Sequence, residues 1–183
     1  MQRKKGLILL VLIIVIGIGI GVNYPFQTAL IFHDGESGEL TAFLPLHEND
    51  SFSITFTHSI HLTDVVEKYK VTDDLQIEQY EIIYEEFGIG MPSNAGENEE
   101  FIYEDGKYHI RNMKHQFESL NIRNGEVVSN HRLAWGDRDS NDEACCEVPF
   151  NDYFEPGDWY QVKIDWITLL DYWEGERIHE REK

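Results

Sequence analysis

Apolar and polar residues alternate in short runs through most of the chain after residue 26. Alternation with a period of two is the pattern of a strand that buries one face. Clusters of Gly, Asp, Asn and Pro separate the runs, as turns do. Short strands at this spacing predict an all-β fold, a small β-sandwich or an open barrel of antiparallel strands. The pattern predicts strands or hairpins over residues 27–33, 39–46, 51–60, 65–71, 76–84, 101–110, 117–133 and 159–170, with a short helix as an option at the end of the last.

Two dipeptides predict the tips of hairpins. Asp105–Gly106 and Asn124–Gly125 are pairs favoured in type I′ turns, because Asn, Asp and Gly tolerate positive φ. Two other segments are irregular: residues 88–100, rich in Gly, Asn and Glu, and the polar residues 135–152. Residues 174–183 are mostly charged, and we expect them to fray or to form a helix.

The N-terminal segment differs from the rest of the chain. Residues 6–22 are uncharged and mostly apolar, and as a helix they would be about 25 Å long, enough to cross a thin bilayer. The basic segment MQRKK precedes this run and the aromatic segment NYPF follows it, which predicts a single-pass anchor with a cytoplasmic N-terminus. A cleaved signal peptide is the alternative, although no Ala-x-Ala site follows. We expect an anchor and interface over 1–26, an extracytoplasmic β-domain over 27–173 and a charged tail over 174–183.

The charge of the chain is strongly negative, with 34 acidic and 15 basic side chains in 183 residues. Because residues 1–22 hold three basic side chains and no acidic one, the net charge of −19 becomes −22 for the remainder. Such a domain repels nucleic acid and anionic lipid headgroups, which disfavours both as partners. Solubility alone is a sufficient reason for such a charge.

The only cysteines, Cys145 and Cys146, are adjacent in sequence. They cannot close an ordinary disulfide loop, which leaves a vicinal disulfide or two thiols as the alternatives. No Cys/His spacing indicates a metal site, and no pattern indicates a cofactor.

The stretch SFSITFTHSIHLTDVVEKYKV places a histidine and a glutamate on the apolar faces of two predicted strands. Alternation groups His58 with Phe56 and Ile60, and Glu67 with Val65 and Tyr69. A hairpin centred between residues 62 and 63 would place His58 opposite Glu67 and Phe56 opposite Tyr69. We therefore predict a cross-strand His58–Glu67 pair on the core face.

Such a pair has a structural and a functional interpretation. Structurally, each group offsets the cost of burying the other and fixes the register of the hairpin. Functionally, His58 would bond a ligand with help from Ser59, His61 and Thr63, although His61 fits a solvated position better. A histidine that acts as a general base, oriented by a carboxylate, would also consist of these two residue types. An enzyme is the less favoured interpretation because the sequence holds no nucleophile or phosphate-loop motif, so we assign no catalytic residue.

The segments THSIHLTDVVEKYKV, FGIGMPS, DGKYHI and FEPGDWYQVKID resemble a bacterial family known only as a domain of unknown function. The family has an HS-x-x-x-T-P-V-x-E-like hairpin and a G-x-G-x-P loop, and the resemblance covers residues 38–170. Asp64 stands where the family usually has Pro, and Ile89 where a small residue is common. The motif positions carried over to this chain are His58, Ser59, Thr63, Glu67, Gly88, Gly90 and Pro92.

The resemblance also implies a cellular context. Members of the family are often encoded beside tripartite ATP-independent (TRAP) transporters of the TAXI type. It implies an accessory or binding module for organic-anion uptake, whose partner is the transporter's membrane subunit or its solute receptor. The alternative is a cell-surface structural or interaction domain with no transporter link. The paired glycines of the loop require positive φ or a close backbone approach, and their N–H groups could bind an anion or simply form a tight turn.

Overall fold

The computed structural model describes residues 2–88, 90–136 and 146–179 of the chain. One long helix, α1 (Gln2–Val22), precedes a β-rich domain that also holds a short helix, α2 (Leu169–Glu174). The strands are β1 (Gln27–Asp34), β2 (Leu40–Pro45), β3 (Ser51–Thr57), β4 (Asp64–Val71), β5 (Ile77–Tyr84), β6 (Glu100–Glu104), β7 (Lys107–Phe117), β8 (Leu120–Arg123), β9 (Arg132–Gly136), β10 (Cys146–Pro149), β11 (Trp159–Ile167) and β12 (Glu176–Arg177).

The strands form two sheets that pack as a sandwich, which confirms the predicted all-β fold. One sheet has the order β12-β2-β1-β11-β8, and the other the order β10-β9-β3-β4-β5-β7-β6. Every strand pair is antiparallel except β12 with β2. The alternation of buried and exposed positions that the sequence shows is therefore the alternation between the interior and the two outer faces.

The buried apolar side chains form a main core, a smaller core and a third cluster of Ala29, Ile31, Phe43 and Ile167. The main core lies between the sheets and includes Phe32, Phe52 and Val162. The smaller core lies on the same inner face of the seven-stranded sheet, around Val65, Ile82, Tyr84, Ile110 and Met113. Met91 and Ala95, from the segment 85–99 between β5 and β6, pack against the smaller core. The predicted irregular loop thus covers a part of the sheet.

The β3–β4 hairpin exists, but its predicted register is wrong. Phe56 pairs with Val65 instead of Tyr69, and Glu67 with Ile54 instead of His58, so the partner of each residue is four positions from the predicted one. A shift by an even number of residues keeps every side chain on its predicted face, so alternation could not detect it. The turn is wider than predicted: the N–H of His58 donates to the carbonyl of Thr63 at 2.8 Å.

The second predicted hairpin, at Asn124–Gly125, is also wrong. β8 pairs with β11 in the five-stranded sheet, whereas the next strand, β9, pairs with β3 in the other sheet. Residues 124–131 therefore cross from one sheet to the other. By contrast, the Asp105–Gly106 turn joins β6 to β7 as predicted, with φ values of 51° and 83°.

Residues 176–178, part of the C-terminal segment that we expected to fray or form a helix, belong to the sandwich. Glu176 and Arg177 pair in parallel with β2, and Ile178 is 2% exposed in the main core. The optional short helix after β11 is present as α2. Thr168 caps it, and Asp171 completes a capping box.

The N-terminal helix is long and apolar enough to cross a membrane over Lys4–Val22, and none of it is buried against the domain. Its length and composition fit a membrane anchor or a signal sequence. Four residues separate its last residue, Val22, from β1.

Candidate functional site

A cleft of about 430 Å³ opens between the two sheets where β8 joins the edge of the five-stranded sheet. Strands β3, β4 and β5 form one wall, and β8 with the first residue of β11 forms the other. Its size lies within the range of small-molecule sites. The cleft is lined by Ile54, Phe56, Glu67, Tyr69, Gln79, Phe117, Leu120, Asn121, Ile122, Arg123, His131 and Trp159.

Glu67 and Tyr69 form the polar centre of one wall. They are two residues apart on β4 and therefore share the inner face, and the Tyr69 hydroxyl donates to Glu67 Oε2 at 2.8 Å. Burial raises the pKa of Glu67, and the bond from Tyr69 only partly opposes this effect. Burial and the neighbouring carboxylate also raise the pKa of the Tyr69 hydroxyl. Burial therefore makes the charged form of the Glu67 carboxyl group less favourable than it is in water.

His131 lies just before β9 and contributes an imidazole to the cleft. Its ring lies between those of Phe56 and Phe150, with centroids 5.7 and 5.4 Å away. Burial lowers the pKa of His131, which favours the neutral ring. Its Nδ1 is buried without a hydrogen-bond partner, a state that costs about 1–3 kcal/mol.

Most of the cleft wall is apolar, burial disfavours the charged forms of Glu67 and His131, and Arg123 lies exposed at the edge of the cleft. Ser129 is near in sequence to His131, but its Oγ is also buried without a hydrogen bond, so the two side chains form no serine–histidine pair. The arrangement suits a partly apolar molecule with a hydrogen-bonding group.

The structure separates the predicted His58–Glu67 pair. His58 lies in the β3–β4 turn, where its Nδ1 accepts the N–H groups of Ile60 and His61 at 3.3 Å each. His58 therefore stabilises the turn, and Glu67 lies in the cleft with Tyr69 as its partner. The expectation that the two residues share one site is wrong.

His61 connects the turn to the Gly-rich loop. Its ring stacks on that of His58 with centroids 4.9 Å apart, and its Nδ1 lies 3.0 Å from Glu86 Oε2. A Cβ on Gly88 would lie 2.2 Å from His61 Nε2, so only glycine leaves room for the ring. His61 is thus held against the loop, and the prediction that it is solvated is wrong.

The other motif residues have local roles in the turn and the loop. Gly90 has a φ of 89°, and the Pro92 carbonyl accepts the Tyr84 hydroxyl at 2.5 Å. The Thr63 carbonyl closes the turn, and Ser59 is exposed beside it. The two glycines of the loop are therefore explained separately, Gly88 by a close approach and Gly90 by positive φ.

Sequence reasoning found Glu67 but missed the groups that surround it. Tyr69 shares the face of Glu67 two residues away, so the alternation contained this signal. His131 and Trp159 come from segments that are distant in sequence, and no local pattern connects either to Glu67.

No metal site or disulfide can be assigned from the structure. Within residues 2–88, 90–136 and 146–179, no group of three or more His, Cys, Asp or Glu side chains could hold a metal ion. Cys146 begins β10, but Cys145 lies outside the described residues, so the vicinal disulfide stays a prediction.

The cleft falls almost entirely within a region that has a family match. Residues 52–141 match the family model of a domain of unknown function, DUF1850. The DUF1850 region contains β3 from Phe52 onward, β4 to β9 and every cleft-lining residue except Trp159. No curated protein and no solved structure matches the chain.

We expect Gly88→Ala to destabilise the protein by about 1–3 kcal/mol, because the new Cβ displaces the His61 ring. In a His61→Ala background the same substitution should cost much less. Urea unfolding of the four proteins that form this double-mutant cycle measures the coupling. Equal costs in the two backgrounds would show that His61 does not press on Gly88.

We expect Glu67→Gln to raise the free energy of unfolding at pH 7 by on the order of 1 kcal/mol. The raised pKa means that folded Glu67 binds a proton more readily than unfolded Glu67, so its contribution to stability falls as pH rises above the ordinary value near 4.5. The amide keeps an acceptor for Tyr69 and has no charge to desolvate. Unfolding measured from pH 4 to 8, with the exposed Glu36→Gln as control, should show a flatter profile only for Glu67→Gln.

Proposed function

We propose that the protein is a membrane-anchored extracytoplasmic binding module that holds a small organic solute in the cleft between its sheets. The observation that carries this proposal is the cleft itself, which combines apolar walls with the Glu67–Tyr69 pair and the unpartnered Nδ1 of His131. An interior polar atom without a partner is uncommon in proteins and often marks a functional position.

The proposed topology places the cleft away from the bilayer. The basic segment before α1 supports a cytoplasmic N-terminus, so the β-domain follows on the outside. The first residue of β1 after α1, Gln27, pairs with Ile167 at one end of β11. The cleft lies at Trp159, at the opposite end of β11. Eight residues of extended strand span about 26 Å, so a solute outside the cell could reach the cleft.

Two features limit the class of solute. A charged group buried beside Glu67 would be disfavoured, so we propose that the buried end of the solute is uncharged and hydrogen-bonding. The net charge of −22 repels free anions at a distance. An anionic group on the solute would therefore lie at the exposed Arg123 at the edge of the cleft.

We further propose that the protein is an accessory of a TRAP-type organic-anion uptake system and contacts its membrane subunit or its solute receptor. The resemblance of the β3–β4 hairpin and the Gly-rich loop to a transporter-associated family supports this partner. The repulsion of free anions also supports it, since such a domain would receive its solute by contact with another protein.

The experiment is radiolabelled uptake of a dicarboxylate and a monocarboxylate in a deletion strain, with cross-linking and pull-down from membranes. We expect the deletion to impair uptake, and wild type or His47→Phe, a change in the exposed β2–β3 turn, to restore it. His131→Phe should reach the membrane at a normal level and fail to restore uptake. Normal uptake in the deletion strain, with no transporter subunit cross-linked, would contradict the accessory role and favour a cell-surface interaction domain.

A further inference from the structure

A patch of large apolar side chains is exposed where the domain joins α1. It surrounds the link between α1 and β1 and includes two tryptophans, of which Trp166 is 50% and Trp173 is 69% exposed. We call this patch the collar, and its residues are Tyr24, Phe26, Trp166, Leu169, Leu170 and Trp173. Single exposed apolar residues are normal on a surface, but several large aromatic side chains exposed at one end of a domain suit an interaction site.

The collar is held firmly to the domain. The N–H of Phe26 donates to the carbonyl of Ile167 at 3.0 Å, which joins the link to the end of β11. The capping box of Thr168 and Asp171 fixes the start of α2. On the inner side of α2, the ring of Tyr172 lies 5.4 Å from that of Phe43. The exposed side chains of α2 are therefore presented on a fixed surface.

The length of the link places the collar at the membrane boundary, if α1 is the anchor of the proposed function. Four residues between Val22 and β1 reach at most about 14 Å. The end of the domain that carries α2 therefore cannot move far from the end of the hydrocarbon core. Trp and Tyr are enriched at this depth because the ring is apolar and its N–H or O–H is polar.

We propose that the collar is a lipid-binding surface that lies in the headgroup layer of the bilayer and orients the domain on it. The carboxylates of Asp165, Asp171 and Glu174 lie on or beside the collar, so the surface suits zwitterionic rather than anionic headgroups. When an amphipathic surface next to an anchor inserts into the headgroup layer, it fixes the tilt of the domain as well as its distance from the bilayer. Because β11 runs away from this surface, the cleft at Trp159 faces away from the bilayer.

The test is quenching of tryptophan fluorescence by brominated phosphatidylcholine, with the full chain in nanodiscs. We expect the wild-type protein to lose about a third of its emission relative to unbrominated lipid, because Trp166 and Trp173 lie near the bromine atoms. The double variant Trp166→Phe/Trp173→Phe should lose little. Trp159→Phe is the matched control, since Trp159 is also exposed, at 55%, but lies at the other end of β11. This control should lose a larger fraction than wild type.

Two failures are distinguishable. If the full chain does not enter nanodiscs, the anchor is overturned, and with it the collar. If the chain enters but brominated lipid quenches wild type and the double variant equally, the collar is overturned while the anchor stands. All three substituted tryptophans are exposed, so the folded domain should tolerate them, and circular dichroism verifies this.

Discussion

Asn124→Ala is expected to lower the free energy of unfolding by about 2–4 kcal/mol. Asn124 is 1% exposed, and its Nδ2 donates to Asn151 Oδ1 and to the Phe154 carbonyl, both at 2.9 Å. Alanine removes both bonds and leaves the buried Phe154 carbonyl without this donor. Asn124 directly follows β8 and starts the crossing to the other sheet, so the loss also loosens one wall of the cleft.

Urea unfolding of the full chain in mild detergent, followed by near-UV circular dichroism, measures this change. Asn121→Ala is the matched control, because Asn121 lies three residues before Asn124, on β8, and is exposed. We expect the control to change stability by less than about 0.5 kcal/mol. Equal and small effects of both substitutions would show that the bonds of Asn124 do not hold the crossing.

Glu81→Gln is expected to cost about 2–3 kcal/mol at pH 7. Glu81 is 6% exposed on the outer face of the seven-stranded sheet, and its carboxylate binds Lys68 Nζ at 2.9 Å, His109 Nδ1 at 2.9 Å and Arg111 Nε at 2.8 Å. Burial alone would raise its pKa, but the hydrogen bonds from Arg111, His109 and Lys68 lower it to about 2. The neutral amide of Gln cannot replace the negative charge of the Glu81 carboxylate, to which all three donors bind.

The pH dependence of Glu81 has a definite sign. Since its folded pKa lies below the ordinary 4.5, its stabilisation is complete above about pH 5 and is lost as pH falls toward 2. Glu81→Gln should abolish this part of the acid sensitivity. The control Glu85→Gln removes a carboxylate that is 40% exposed and 3.6 Å from Lys107, and it should cost less than about 1 kcal/mol. An unchanged acid profile in Glu81→Gln would contradict the assignment.

Alternation along the chain predicted the class of fold and the faces of the strands. Lys68 and Lys70 lie on the outer face as predicted, where they pair with Glu81 and Glu78. Alternation could not choose between registers in which the partner of each residue differs by four positions, because both bury the same side chains. Ile60 made the start of the turn resemble strand, yet it is 61% exposed.

The hairpin predicted at Asn124–Gly125 failed for a different reason. Asn–Gly is a strong local signal, but here the Asn side chain bonds residues about thirty positions away and the chain changes sheet. Local sequence patterns also failed to predict most of the cleft. Glu67 was visible as a polar residue on an apolar face, whereas the positions of His131 and Trp159 depend on which strands become neighbours.

The most direct test of the proposed function is native mass spectrometry of the full chain released from its own membrane. We predict that wild-type protein retains a small organic molecule and that His131→Phe loses it. Because His131→Phe removes an unpartnered buried nitrogen, its unfolding free energy should be equal to or higher than that of wild type, which separates loss of ligand from loss of fold. Leu120→Trp, which fills the cleft, should also lose the molecule, and His47→Phe should retain it. An adduct of the same mass and occupancy in wild type and both cleft variants, or none in wild type, would contradict the cleft as the binding site.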